Sequence, residues 1–258
     1  MKEVVSWLAA WMIYAVLFAL PAPAQDFTEN LLNLYPKPGH PIQILHQSKA
    51  FRVTLTHYLD NKEVPLLRLG SGRLYYGLDS LTIVYMPEEK PYKLIPGRLR
   101  YASAGTVGGG YRVVIDPRAK FASHLEVEIN PSAVADIPIP VSQQSAALKE
   151  RSKQAIKSTH PSQFPPPVSD KPVSAARMLD IPEADVSLLT VRSKITLKSI
   201  SHTSLWIVLA GEGSLSLGSK AYPLQRQSFL ATPLGTKEVT ITPTGTGLRI
   251  VLIRHKTS

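Results

Sequence analysis

Three blocks of this chain occur twice, in the same order and at similar spacing, and this duplication limits the fold more than any other feature. Residues 73–85, RLYYGLDSLTIVY, correspond to residues 204–217, SLWIVLAGEGSLSL. Residues 91–106, PYKLIPGRLRYASAGT, run against 221–236, AYPLQRQSFLATPLGT, without a gap. Within that pair Tyr92 falls on Tyr222, Leu94 on Leu224, Gly105 on Gly235 and Thr106 on Thr236. YRVVI at 111–115 then meets LRIVL at 248–252. Ordered self-similarity of this kind implies two units of one architecture.

Both units are built from short runs of Val, Ile, Leu, Thr and Tyr broken by Gly and Pro, the signature of strands. FRVTLTHYL at 51–59 and SKITLKSI at 193–200 are examples. With 22 prolines and 15 glycines, the chain favours turns over long helices. SLWIVLAGEGSLSL reads as two strands around a Gly-Glu-Gly turn. The expected units are residues 42–129 and 184–258.

Between them, residues 130–183 differ in character. Nine of the 22 prolines fall from Pro131 to Pro182, including FPPPVSDKP, with Ser, Gln and Lys filling much of the rest. Such a stretch buries too little apolar surface to offset its ordering entropy, so it reads as an interdomain linker. Residues 143–158 read equally as a short helix within it or as plain disorder.

Residues 1–24 read as a targeting segment and stand outside the fold. VVSWLAAWMIYAVLFAL at 4–20 is uncharged, and Ala22-Pro23-Ala24 is a small-x-small site for cleavage. The reading is a secretory signal cut after Ala24, followed by an N-terminal extension over 25–41. The alternative is an uncleaved membrane anchor through residues 4–20, at the short limit for a span. The expected location is periplasmic or secreted, or anchored and facing outside the cytoplasm.

The net charge of +10 suits anionic neighbours, but the basic residues are scattered, so no nucleic-acid partner is expected. The absence of cysteine excludes disulfides, thiolate catalysis and zinc–thiolate or iron–sulfur sites.

The order of blocks resembles the cupin superfamily, and their duplication resembles a bicupin. The resemblance rests on VLAGEGSLSL, LQRQSFLATPLGT and LRIVLIR in the second half, and on GLDSLTIVY, LIPGRLRYASAGT and YRVVI in the first. It implies an all-β chain of two double-stranded β-helix, or jelly-roll, barrels, whose mouths often hold a ligand. Metal cupins bind through an H-x-H pair, an acid a few residues on and a later histidine. Here the first-half positions read Leu67, Leu69, about Gly72 and about Gly108. Those of the second half read about Lys198, Ile200, Ser204 and Glu238. Leucine offers no lone pair to a cation, so no metal and no cofactor are expected.

The candidate ligand pocket comprises Arg68, Tyr75, Tyr101, His202 and Trp206. Tyr75 aligns with Trp206, aromatic rings at a barrel mouth stack on flat ligands, and Arg68 precedes Tyr75 closely enough to meet an anion. His202 stands two residues from an expected ligand position and would keep its facing on a strand. The competing reading packs the aromatics into the core and leaves His202 an ordinary histidine. No catalytic residues are assigned. The sequence thus reads as an exported, metal-free, cupin-like protein, a non-catalytic binding or assembly module of the cell envelope. Its partner would be a small polar or anionic ligand or an envelope component, and a homodimer is left open. The alternative is a degenerate cupin enzyme acting on a small polar or sugar substrate.

Overall fold

The computed structural model describes residues 28–30, 42–79, 81–85, 90–131, 135–154, 157–165 and 171–256. The expected signal lies outside these residues, as does most of the 25–41 extension. Thr28–Asn30, within that extension, forms a short strand antiparallel to Ser228–Thr232.

The first half makes two antiparallel sheets. One has six strands in the order Lys157–Thr159, Leu99–Ala102, Gly72–Gly77, Ala122–Ile129, Phe51–Tyr58, Ile42–Gln47. The other has four: Lys62–Val64, Tyr111–Val114, Leu81–Tyr85 and Lys90–Leu94. A small third sheet joins Val107–Gly108, Leu67–Arg68 and Ile137–Pro138. The helix Val141–Ser152 (α1) rests on it, with Ala147 packed against Leu66 and Val107.

The second half is organised around two long strands, Ser204–Leu217 and Thr236–His255. They pair from Ser204 opposite Arg254 to Leu217 opposite Val239, with register shifts between Val208 and Ala210 and between Ala210 and Glu212. The Gly-Glu-Gly stretch therefore bends one continuous strand and does not reverse it, which corrects the expected hairpin. Gly211 lies at φ +86°, and a Cβ added there would fall 1.9 Å from the Gly247 carbonyl oxygen. A bulge and a tight turn both call on glycine at positive φ, so composition alone does not separate them. Ala184–Val191 and Val173–Ile181 extend this sheet on one side, and Ser228–Thr232 extends it on the other.

The two barrels share a core. Phe51, Val53, Leu55, Leu74, Tyr76, Leu99, Leu125, Val127 and Ile129 of the first half cluster with Val186, Leu188, Leu205, Ile207, Phe229, Val251 and Ile253 of the second. Alternate residues of the same strands turn the other way, so Trp206, Val208, Leu230, Ile250 and Leu252 fill the second barrel. Strands buried on both faces read as unbroken apolar runs, which is why SLWIVL and LRIVLI show no alternation. At about 1.5–3 kcal/mol for each fully buried large apolar side chain, the seam is a dominant source of stability. Across it Tyr101 donates to Glu183 at 2.7 Å, and the Phe51 and His255 rings meet edge to face at 5.6 Å.

The expected linker over 130–183 is corrected in two places. Val173–Ile181 is a strand paired antiparallel with Ala184–Val191, and it buries Met178, Leu179 and Ile181 in the seam. Lys157–Thr159 adds the outermost strand to the six-stranded sheet. Between Pro140 and Lys153 lies α1, close to the helix considered for 143–158. Averaging composition over the proline-rich stretch hid the apolar positions at its C-terminal end.

Candidate functional site

Strand alternation dictates what enters the first barrel. Leu74 and Tyr76 belong to the seam, so Arg73 and Tyr75 point inward; Leu99 and Tyr101 belong to the seam, so Arg100 points inward. Leu125, Val127 and Ile129 likewise turn His124 and Glu126 inward. The four-stranded sheet supplies Leu81, Ile83, Leu94 and Val113 to an apolar floor, and Tyr75, Tyr85, Tyr92 and Tyr111 pack against it.

The interior is not filled. One cavity of about 340 Å³ is bordered by Tyr75, Tyr85, Tyr92, Tyr111, Arg100, Arg151 and Lys157. A second of about 250 Å³ is bordered by Thr56, Tyr58, Lys62, Arg73, His124 and Glu126. Tyr75 and Tyr111 line both and form a party wall. The second barrel differs: twelve buried apolar residues, from Leu189 to Leu252, cluster in its interior, where Thr232 accepts from Trp206.

Among the described residues Arg100, Arg151 and Lys157 border the larger cavity and no Asp or Glu does, with the Lys157 ammonium donating to the Asp180 carbonyl at 3.3 Å. The Arg100 guanidinium sits 4.9 Å from the Tyr85 ring centre and 5.3 Å from that of Tyr92, a cation–π arrangement. Its Nε is buried without an acceptor, and the buried Tyr85 hydroxyl also lacks a partner. Burial lowers the Arg100 pKa from its ordinary value, with the Tyr75 and Tyr111 hydroxyls acting in the opposite sense. Burial pushes Tyr111 up to about 12, so its hydroxyl is a neutral donor at physiological pH. Arg151, on the last turn of α1, donates to the carbonyls of Gly109 at 2.8 Å and Gly110 at 3.0 Å. It also lies 5.1 Å from the Tyr85 ring centre.

The smaller cavity carries mixed charge. Arg73 pairs with Glu126 at 2.8 Å and with Asp136 at 2.7 Å. Burial alone would raise the Glu126 pKa, but His124 and Arg73 together hold it below the ordinary carboxylate value. His124 lies flat against Tyr58 at 5.6 Å, with both ring nitrogens buried and unbonded. Its Nε2 is 4.0 Å from the Glu126 carboxylate.

The residues at the family's metal-binding positions do not fit a metal. Leu67 lies in the small sheet, and Leu69 is buried, where a Cβ on Gly108 would meet its Cδ2 at 2.9 Å. In the second half Lys198 and Glu238 face each other as cross-strand neighbours. Among the described residues no group of three His, Cys, Asp or Glu side chains is placed to hold a metal ion.

The five candidate pocket residues do not converge. Tyr75 lines both cavities, and Tyr101 borders the larger one from the seam. Arg68 is on the surface, bonded to the Gly105 carbonyl at 2.6 Å and paired with Glu150 of α1 at 3.0 Å. Trp206 is 2% exposed inside the second barrel and donates to Thr232 at 3.1 Å. His202, half-buried with an unbonded Nδ1, interacts electrostatically with His255. Sequence reasoning missed Arg100, Arg151, Tyr85, Tyr92, Tyr111 and His124. The signal for Arg100 was present: in LRYA at 99–102 an arginine holds the one facing opposite to Leu99 and Tyr101.

No family model matches the sequence, and no curated protein matches it. Solved structures do match the fold. A cupin 2 conserved barrel domain protein from Leptotrichia buccalis superposes with a TM-score of 0.59, covering 91% of this chain and 99% of its own, at 11% identity. Salicylate 1,2-dioxygenase from Pseudaminobacter salicylatoxidans gives 0.54, covering 80% and 71%, at 9% identity. Vicilin from Corylus avellana, hazelnut, gives 0.51, covering 83% and 80%, at 15% identity. The chain is thus built as two cupin-type barrels in tandem, and its neighbours of this fold include both an enzyme and vicilin.

Proposed function

We propose that the chain is a small-molecule binding protein whose ligand chamber is the interior of the first barrel, with the second barrel as a filled buttress. The observation that carries this is the contrast between the halves: one interior holds a cavity of about 340 Å³ bordered by tyrosines and arginines, the other carries a cluster of twelve buried apolar side chains. A pocket of that size, with a few polar groups set among rings, is the usual form of a small-ligand site. The apolar run at 4–20 and the Ala22-Pro23-Ala24 site support action outside the cytoplasm, in the envelope or beyond it.

A second reading, a catalyst acting on a small polar substrate, is favoured by one observation. His124 and Glu126 stand side by side on the wall of the smaller cavity, Nε2 4.0 Å from the carboxylate, a pairing of proton-carrying groups used in acid–base chemistry.

A thermal-shift screen of small polar and aromatic compounds tests the chamber. Ala102, which borders the larger cavity, is replaced by Trp in a parallel sample. Hits are expected with the natural chain and not with Ala102→Trp. Hits that persist in Ala102→Trp place binding elsewhere and overturn the proposal.

A further inference from the structure

We infer that the larger cavity takes a small organic anion, its charged group docked on Arg100 and its flat body lying among the tyrosine rings. This rests on the chamber reading above and names the ligand class.

The first argument is charge balance. Among the described residues Arg100 and Arg151 border a space that no Asp or Glu borders. A buried cation normally has a carboxylate or several acceptors to offset its lost hydration. Arg73, one strand away on the same barrel wall, has both Glu126 and Asp136. Among the described residues Arg100 has no ion pair and no hydrogen bond, and its Nε is buried.

The second argument is geometry. The rings of Tyr85 and Tyr92 meet the guanidinium within cation–π distance, at 4.9 and 5.3 Å. A ring attracts the cation but gives its N–H groups no lone-pair acceptor in the guanidinium plane. Those donors suit two oxygens presented side by side, as in a carboxylate. The unbonded Tyr85 hydroxyl adds a further polar group at the same place. Arg151, on the same cavity, supplies positive potential that favours entry of an anion.

A purely structural role for Arg100 as a cation–π clamp is the competing explanation, and calorimetric titration of the full chain separates the two. The probes are benzoate, its neutral isostere benzamide, and inorganic phosphate. Benzoate is expected to bind at least about tenfold more tightly than benzamide. Arg100→Gln is expected to weaken benzoate by about ten- to a hundredfold, the range for a hydrogen bond to a charged group. Arg100→Lys, which keeps the charge and loses the planar fork, should fall between, and it carries the test if Arg100→Gln fails to fold.

Benzamide binding as tightly as benzoate would overturn the anion assignment and leave the chamber standing. Unchanged benzoate affinity in a folded Arg100 variant, with only thermal stability lowered, would show the clamp role and overturn the docking. Phosphate binding in place of benzoate would overturn the flat-bodied part. Failure of all three probes at millimolar concentration, together with no hits in the thermal-shift screen, would remove the chamber reading as well.

Discussion

Tyr75 and Trp206 occupy matching positions in the two halves and both turn into their own barrels, yet Tyr75 borders two cavities while Trp206 is packed shut at 2% exposure. The duplication has kept the direction of the side chain and changed what surrounds it. Trp206→Ala is therefore expected to cost about 3–5 kcal/mol, the range for deleting a large aromatic from a closed core. Tyr75→Ala should cost clearly less, because part of its surface already faces empty space. Urea denaturation of both variants checks this, and equal costs would mean that the first barrel is as closely packed as the second.

Gly211 and Gly245 both have positive φ, at +86° and +61°, but only Gly211 faces backbone that an added Cβ would strike. Gly211→Ala should be severely destabilising. Gly245→Ala, with nothing within 4 Å of the new methyl, should lose only the cost of a strained φ, about 1–2 kcal/mol. Comparable midpoint shifts would argue for an open turn at Gly211 in place of the bulged long strand.

Ile181 is 1% exposed in the seam, within the stretch that composition marks as linker. Ile181→Ala is expected to destabilise the chain by about 2–5 kcal/mol. A solvated linker would tolerate the change, so an unfolding midpoint equal to that of the natural chain would restore the linker reading.

Acid should weaken the fold in two stages. His46, His57 and His255 are held below the ordinary imidazole range by burial, with His124 adding to the effect on His57 and His202 to that on His255. The unfolded chain takes up protons at these sites near pH ~6.5, while the folded chain does so only at lower pH. The unfolded state then holds more protons, so stability falls as pH drops below about 6.5. Glu126 adds a later stage. Its lowered pKa gives stabilisation that is present above the ordinary carboxylate range and is lost as pH falls through the folded value. Unfolding midpoints at about pH 7.5 and about pH 5.5 should differ in the natural chain and differ less in His46→Gln. A difference untouched by that substitution would remove His46, 6% exposed, from the first stage.

Much of this architecture is legible in the sequence, and the reason is particular. Tyr92 and Tyr222, Leu94 and Leu224, and the two Gly-Thr pairs stand 130 positions apart because both halves need the same turn at the same place. The Gly-Glu-Gly bend was misread because positive φ serves bulges and turns alike. The site was only partly legible. Tyr75 and Tyr101 could be picked out as aromatics, but Arg68 and Arg100 are indistinguishable as letters. What separates them is which face of a strand the seam claims, a property of the partner barrel. Arg100 points inward because Leu99 and Tyr101 are taken by the seam; Arg68, on a two-residue strand away from the seam, is free to hold Glu150.

One strand, Gly72–Gly77, is at once the wall of the chamber and the face of the seam: Arg73 and Tyr75 look one way, Leu74 and Tyr76 the other. The outer surface of the second barrel is thus constrained by the first barrel's wall in a way its interior is not. Drift at Leu205, Ile207 or Phe229 would be transmitted through the thickness of a single peptide to the side chains that shape the cavity. The second half acts as a mould: on the chamber reading proposed above, selection on one barrel's cavity would be selection on the back of the other.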